Sequence, residues 1–187
     1  MAFALTQSQT IGPFFNAVLR PDAWSDLVGP GAQGTVIQLE GRVIDGQGAP
    51  VTDATVEIWQ ANAAGRYDHP EDTQDKPLDP AFHGFGRAPT DPEGRFRFRT
   101  VLPGPVPGLG NVLQAPHVNV SVFARGLLNR VVTRIYFAGN ALNDTDPVLS
   151  ALSEAERTTL LANPAGGGVW QLDIILQGEG ETVFFEV

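Results

Sequence analysis

Short segments of β-branched and aromatic residues, separated at close intervals by glycine and proline, are the feature that most restricts how this chain can fold. Among its 187 residues, 21 are glycine and 15 are proline, and apolar residues are plentiful between them. Such spacing interrupts long helices and favours many short strands joined by turns. The pattern therefore predicts an all-β fold, and within that class a β-sandwich.

The positions of the strands follow from the same pattern. Seven segments between turn residues have the alternation or the β-branched content of strands: 36–44, 55–61, 94–100, 117–123, 130–137, 169–177 and 182–186. One short helix is predicted after Ser153, because Glu156 completes a capping box and Asn163-Pro164 ends the apolar run. A loop of about 30 residues follows the second strand segment, and loops of this length in compact domains are usually functional.

The chain divides into an arm and a domain. Residues 1–34 have little strand or helix periodicity and are broken by Gly12-Pro13 and Gly29-Pro30. Phe14, Phe15 and other apolar residues in this arm predict that it packs on the domain or on a partner chain. Residues 35–187 are predicted to form one domain, which is large enough to bury a core without cross-links.

Charge and cysteine content exclude several functions. The chain has 12 basic and 21 acidic residues, a net charge of -9, and no block of lysine or arginine, which argues against a nucleic-acid partner. It contains no cysteine, which excludes disulfides, thiolate metal sites and thiol nucleophiles. Neither a leader peptide nor an apolar run of roughly 20 residues is found in the sequence, so a cytoplasmic protein is expected.

His117 and Asn119 are the first candidates for a chemical role. Residues two apart on a strand point to the same face, so these side chains are expected to enter one pocket together. Neutral imidazole binds first-row transition metals well, whereas a side-chain amide is a weak oxygen donor better suited to hard cations. A single histidine at the start of a strand is, more often than a ligand, a hydrogen-bonded structural residue.

A series of motifs in fixed order points to a family. The motifs are Gly41-Arg42-Val43, Val56-Glu57-Ile58-Trp59-Gln60-Ala61-Asn62, Gly65-Arg66-Tyr67, Pro77-Leu78-Asp79-Pro80, Phe98-Arg99-Thr100, Ala115-Pro116-His117 and Phe123-Ala124-Arg125-Gly126. With them the chain resembles the intradiol ring-cleavage dioxygenases over nearly its whole length. Within that family it is similar to the α chains of the heteromeric members, which implies a mixed β-sandwich with a long N-terminal arm and one short helix.

The resemblance implies that the metal site of the family is lost in this chain. Catalytic members hold a mononuclear non-haem Fe(III) with two tyrosines and two histidines. The corresponding positions here are Gln74, Val106, His117 and Asn119, so one of four ligands remains. The catalytic arginine of the family, three residues before the first histidine, corresponds to Gln114. We therefore expect neither a metal ligand nor a catalytic residue in this chain.

The resemblance also implies a partner. A β chain of the same fold would carry the Fe(III) and would use O2 to open the ring of an aromatic substrate, protocatechuate, to 3-carboxy-cis,cis-muconate. Thr10, Gly12, Pro13 and Arg125 match residues that α chains contribute to the shared pocket, and they are the predicted substrate-binding residues. The expected assembly is a higher-order α–β oligomer in which the isolated α chain is inactive.

Two other functions stay open at this point. The chain could be a self-sufficient intradiol enzyme with an altered site, using His69 and His83 with His117, or the two tyrosines, Tyr67 and Tyr136. It could also be a transthyretin-like binding module without enzymatic activity. The role of Arg134, which stands where catalytic chains carry a glutamine, is left open.

Overall fold

The computed structural model describes residues 22–108, 110 and 112–186, and these contain eleven strands and one short α-helix. The helix, α1, is Glu154–Thr158. The strands are β1 (Val36–Ile44), β2 (Thr55–Gln60), β3 (Phe85–Pro89), β4 (Arg95–Val101), β5 (Val106–Pro107), β6 (Leu113–Gln114), β7 (His117–Phe123), β8 (Val131–Phe137), β9 (Leu161–Gly166), β10 (Val169–Gln171) and β11 (Ile174–Ile175).

Nine of these strands form one connected network, which confirms the predicted all-β, mixed fold. Their order is β11-β1-β10-β9-β8-β7-β2-β3, with β4 paired to β1, while β5 and β6 form a separate hairpin. β1 runs parallel to β10 and β11, and β8 runs parallel to β9; the other pairs are antiparallel. The topology places β7 between β2 and β8 in the middle of one sheet.

Side-chain alternation explains how the central strands divide their two faces. Val118, Val120 and Val122 of β7 are buried in the main apolar core, as are Val56 and Ile58 of β2. On the opposite face of the same sheet lies a smaller apolar cluster of Ala115, Tyr136, Leu149 and Leu160. The odd-numbered residues of β7, His117 and Asn119 among them, therefore project away from the main core.

Four strands were missed by the sequence analysis: β3, the two-residue strands β5 and β6, and β9. β3 lies inside the predicted loop and pairs with β2, although Gly86 and Pro89 obscure its alternation. Glycine at position 86 leaves room for the Leu27 side chain, because a Cβ there would lie 2.6 Å from Leu27 Cδ1. β9 runs through Asn163-Pro164, where the helix was expected to end. The capping box of Ser153 and Glu156 is confirmed, but α1 ends at Thr158 after little more than one turn.

The C-terminal prediction was wrong in two places. The strand expected over 169–177 is divided into β10 and β11, because Asp173 Oδ1 accepts a hydrogen bond from the Arg42 backbone at 2.8 Å and interrupts the ladder. The segment 182–186 does not form a strand. It is anchored by a single bridge between Val132 and Phe185, and the buried Thr182 caps β11 by accepting from the Ile175 backbone at 3.0 Å.

The described part of the predicted arm, 22–34, contacts the domain. It begins with a 3₁₀ turn at Asp22–Ser25, continues through the fully buried Leu27, and bridges to β4 at Arg99. The rest of the arm, 1–21, lies outside the described residues, and the division of the chain at residue 34 stays a prediction. Within the described residues, no helix has the length and hydropathy needed to span a membrane.

Candidate functional site

The candidate site lies on the outer face of β2, β7 and β8, where the sequence placed the former metal ligands. Asn119 is paired with Trp59 on one side and with Arg134 on the other, and His117 is paired with Tyr136. Directly opposed residues in antiparallel strands project to the same face. Register alone therefore brings these five side chains together.

His117 is a buried, neutral imidazole. Its side chain is 3% exposed, and Nδ1 lies 2.8 Å from the carbonyl oxygen of Ala115. A carbonyl only accepts, so Nδ1 carries the proton and Nε2 is the unprotonated nitrogen. Burial, and then the charge of Arg134, lower the pKa of His117 to about 4. At neutral pH the residue acts as a structural hydrogen-bond donor.

Asn119 uses its nitrogen rather than its oxygen as the anchoring atom. Nδ2 donates to the carbonyl of Trp59 at 3.2 Å and to the hydroxyl of Tyr67 at 3.3 Å. The ring of Tyr67 stacks on Trp59 with centroids 5.6 Å apart. Burial raises the pKa of the Tyr67 hydroxyl, so this phenol stays protonated at neutral pH. Asn119 thus joins the long loop to the sheet.

Gln74 and Val106, to which the resemblance assigns the two tyrosine-ligand positions, lie at one cleft. This open cavity of about 400 Å³ is lined by Trp59, Tyr67, His69, Glu71, Asp72, Thr73, Gln74, Val106 and Pro107. Gln74 Nε2 donates to the carbonyl of Gly65 and to the carboxylate of Asp72, all at 3.1 Å. Val106 is 4% exposed. Neither side chain offers an anionic oxygen.

Arg134 occupies the position next to the remaining imidazole. One of its terminal nitrogens, NH1, donates to Gln114 Oε1 at 2.7 Å and to the Tyr136 hydroxyl at 3.2 Å. The Tyr136 hydroxyl in turn donates to Asp146 Oδ1 at 3.2 Å. Burial raises the pKa of Tyr136 to about 12, which keeps this donor protonated. The Tyr136 hydroxyl therefore connects the Arg134 guanidinium to the Asp146 carboxylate.

Asp146 is the residue beside this site that the sequence analysis missed. It is fully buried, and its carboxylate accepts hydrogen bonds from the backbone N–H groups of Ala115 at 2.8 Å and of Val148 and Leu149 at 2.9 Å. The only available signal was the Asp146-Pro147 dipeptide, which is typical of a turn. Through these bonds Asp146 fixes the segment that leads into His117.

These residues do not fit a ferric ion. The four former ligand positions hold one imidazole, one amide committed as a donor, a second amide and a valine, whereas iron in such a site needs several imidazole or anionic oxygen donors. Among the residues that the structure describes, no group of three or more His, Cys, Asp and Glu could hold a metal. The proposed alternative of His69, His83 and His117 is therefore wrong.

The predicted substrate-binding residues lie elsewhere. Thr10, Gly12 and Pro13 fall outside the described residues. Arg125 lies in the turn after β7, where its side chain is 67% exposed and its Nε is 2.6 Å from Asp53 Oδ2. It stands at the opposite end of β7 from His117, a separation of roughly 25 Å at the usual rise of a strand. Arg125 thus belongs to the surface of this chain and not to the cleft.

A second, larger groove of about 880 Å³ is lined by residues of β1, β4 and β10. Its charged side chains are largely satisfied by one another: Arg42 pairs with Asp173 at 2.7 Å, and Arg97 pairs with Glu40 at 3.1 Å. The larger volume of this groove therefore does not make it the candidate functional site. The smaller cleft is lined by Gln74 and Val106, two of the positions at which the chain departs from the catalytic pattern that the resemblance implies.

Comparison with known proteins gives a consistent result. A family model described as dioxygenase matches residues 19–178. The α chain of protocatechuate 3,4-dioxygenase from Pseudomonas putida is 40% identical over 197 residues, covering 97% of this chain and 96% of that one. The β chain of protocatechuate 3,4-dioxygenase from Burkholderia cepacia is 41% identical over 158 residues, covering 80% of this chain and 67% of that one.

Solved structures agree. The dioxygenase domain of a carbohydrate-binding fusion protein from Streptomyces sp. SirexAA-E superposes with a TM-score of 0.64 at 27% identity, covering 91% of this chain and 97% of that one. The motifs, the fold and the full-length similarity point the same way. This chain belongs to the intradiol ring-cleavage dioxygenase family.

Proposed function

We propose that this chain is the iron-free α subunit of a heteromeric protocatechuate 3,4-dioxygenase. Its partner would be the β chain of protocatechuate 3,4-dioxygenase, which would carry Fe(III). The observation that supports this function is the contrast between scaffold and site. The chain keeps the fold and 40% identity to an α chain over nearly the whole length of both proteins, while three of its four former ligand positions lack an iron donor.

The contribution of this chain is to complete a pocket on the partner. When bound in the β chain, Fe(III) activates the ring of protocatechuate for cleavage by O2 between its two hydroxyl-bearing carbons, giving 3-carboxy-cis,cis-muconate. In this proposal Arg125 attracts or binds the substrate carboxylate. Its ion pair with Asp53 uses Nε and thereby orients the guanidinium, whose terminal nitrogens are suited to a carboxylate.

The arm residues would line the same pocket. Glycine at position 12 allows backbone to approach a ligand closely, and Pro13 restricts the path of the chain beside it. Thr10 would contribute a hydroxyl that can donate or accept. Substrate specificity would then be shared between two chains, with the metal on one and part of the wall on the other.

Coexpression tests this function directly. The full-length chain is purified alone and together with a β chain, and iron content, visible absorption and protocatechuate consumption are measured for both. We expect the isolated chain to be colourless and inactive, and the complex to be red-brown, iron-loaded and active. Iron and ring cleavage in the isolated chain would establish a self-sufficient enzyme instead. Failure to associate with any iron-bearing chain would favour the transthyretin-like binding module.

A further inference from the structure

The remnant of the metal site is organised around a positive side chain. We define the polar cluster as six residues at the outer face of β7 and β8: Gln114, His117, Arg134, Tyr136 and Asp146, which are joined by hydrogen bonds or ring contact, and Asn119, which is the cross-strand partner of Arg134. Arg134 is its only cation at neutral pH, since His117 is neutral. All six residues of the polar cluster belong to this chain, and none is supplied by a partner.

Strand register places the guanidinium among the former ligand positions. Arg134 is directly opposite Asn119, and it holds Gln114, whose own cross-strand partner is Val106. Through the Tyr136 hydroxyl it is also next to His117, because the rings of Tyr136 and His117 are 5.5 Å apart. Two of the former ligand positions, Asn119 and His117, therefore lie next to Arg134, and Gln114 connects Arg134 to the strand that contains a third, Val106.

The charge of Arg134 is not cancelled by direct ion pairing. Among the described residues, none of the ion pairs involves Arg134, and the two acceptors of its NH1 are a neutral amide and a neutral phenol. The nearest negative group in the network is Asp146, one hydrogen bond further away, beyond the Tyr136 hydroxyl. A partly buried cation without an adjacent carboxylate strongly disfavours a second cation nearby.

We infer that Arg134 takes the place of the metal as the positive centre of the polar cluster and by itself prevents metal binding in this chain. The loss of the ligands and the presence of the guanidinium are then two separate obstacles to metal binding. Restoring the missing tyrosines and histidine would be insufficient while Arg134 is present. The polar shell stays ordered without a metal because Arg134 supplies the charge that Gln114, Tyr136 and, through it, Asp146 surround.

Metal uptake by reconstructed sites tests the inference. The full-length triple variant Gln74→Tyr, Val106→Tyr, Asn119→His is compared with the same variant carrying Arg134→Gln in addition. Each protein is incubated with ferrous iron in air and desalted; iron per chain and ferric-tyrosinate absorption are then measured. We expect the triple variant to retain no more iron than the unaltered chain, and the quadruple variant to retain at least tenfold more and to be coloured.

Two outcomes of this experiment would overturn the inference. One is equal, near-stoichiometric iron in both variants, because Arg134 would then be no barrier. The other is an absence of iron in both although circular dichroism shows that both are folded, because removing the guanidinium would then have opened no site. A quadruple variant with Arg130→Gln in place of Arg134→Gln is the matched control, since it removes the same charge from an exposed turn residue.

A second measurement decides the matter if the reconstructed variants do not fold. The chain has three histidines, so the ring of His117 can be followed by NMR in the single variant Arg134→Gln. The charged and titratable groups around that ring are Arg134 and Tyr136 of β8 and Asp146 of the following segment. We expect the pKa of His117 to rise from about 4 toward its ordinary value of 6.5. The same pKa in Arg134→Gln and Arg130→Gln would contradict a cationic centre.

Discussion

Arg134 NH1, on β8, lies 2.7 Å from Gln114 Oε1, on β6, and donates a hydrogen bond to it. By resemblance to the catalytic chains, an arginine is expected at position 114 and a glutamine at position 134, so the pair is present here in reverse. The hydrogen bond between guanidinium and amide is kept, while the positive charge moves onto β8, opposite Asn119. Exchange rather than loss explains why the residues of the former metal site, which do not fit a ferric ion, still form a connected polar shell.

The exchange predicts non-additive effects on stability. Gln114→Arg alone would place two guanidinium groups in contact, and Arg134→Gln alone would remove the charge nearest to Asp146; we expect each to lower the free energy of unfolding by about 2 kcal/mol. The double variant restores one arginine and one glutamine and should lie within about 1 kcal/mol of the unaltered chain. Urea denaturation gives the free energy of unfolding of the unaltered chain, the two single variants and the double variant. Simple addition of the two losses would contradict the exchange.

Tyr136 is predicted to stabilise the fold through its hydroxyl. That hydroxyl accepts from Arg134 and donates to Asp146, both at 3.2 Å, in a fully buried position. Tyr136→Phe keeps the ring contact with His117 but leaves two polar partners short of a hydrogen bond, which should cost about 1–2 kcal/mol in urea denaturation. Phe137→Leu alters a neighbouring buried ring without touching the network and should leave the pKa of His117 unchanged, whereas Tyr136→Phe should shift it.

Stability is predicted to fall below pH 6.5 because of His117. Its folded-state pKa is about 4, below the ordinary 6.5, so the unfolded chain binds the proton more readily than the folded one between these values. The contribution of the neutral imidazole is complete above pH 6.5 and is lost as the pH falls toward 4, by an amount on the order of 2–3 kcal/mol. Urea denaturation at pH 7 and pH 5 should show this fall in the unaltered chain.

His117→Gln is the variant that isolates the effect, and His83→Gln is its control, because His83 is exposed. The first should be less stable at pH 7 but show a smaller difference between pH 7 and pH 5. The second should keep the full difference. Equal pH dependence in both variants would assign the loss of stability to other groups.

More of the fold than of the candidate site could be predicted from the sequence. Alternation identified β1 and β7 to the residue, because the core-facing positions are all valine in β7 and are large and apolar in β1 except at Gly41. β3 and β9 were missed because they contain Gly86 and Pro164, residues that ordinarily interrupt strands, and β5 and β6 were missed because each has only two residues. Gly86 is paired with Ile58 of β2, which is distant in sequence, and Pro164 is paired with Trp170 of the next strand, β10. The roles of Arg134 and Asp146 depend on cross-strand register and on burial, neither of which a single sequence displays.

Gly41 is predicted to be irreplaceable for steric reasons. A Cβ at this position would lie 1.8 Å from the carbonyl oxygen of Leu172, which explains the glycine of the Gly41-Arg42-Val43 motif. Gly41→Ala would push β1 away from the segment between β10 and β11, and we expect a loss of about 2–3 kcal/mol. Thermal unfolding measures it. Ala49→Ser, in the exposed turn after β1, is the control and should change stability by less than about 0.5 kcal/mol.

Arg125 is predicted to affect substrate binding and not the fold. In its ion pair with Asp53 the Arg125 side chain is 67% exposed, and ion pairs at the surface contribute roughly 0–1 kcal/mol, so Arg125→Ala should leave thermal unfolding nearly unchanged. In the complex with a β chain, loss of a guanidinium near the substrate carboxylate should raise the apparent KM for protocatechuate about 5–10-fold, with kcat less affected. Arg130→Ala removes another exposed charge from the same connection between β7 and β8 and should leave KM unchanged. Equal KM values for both variants would place Arg125 outside the shared pocket, and an equal rise in both would attribute the effect to net charge alone.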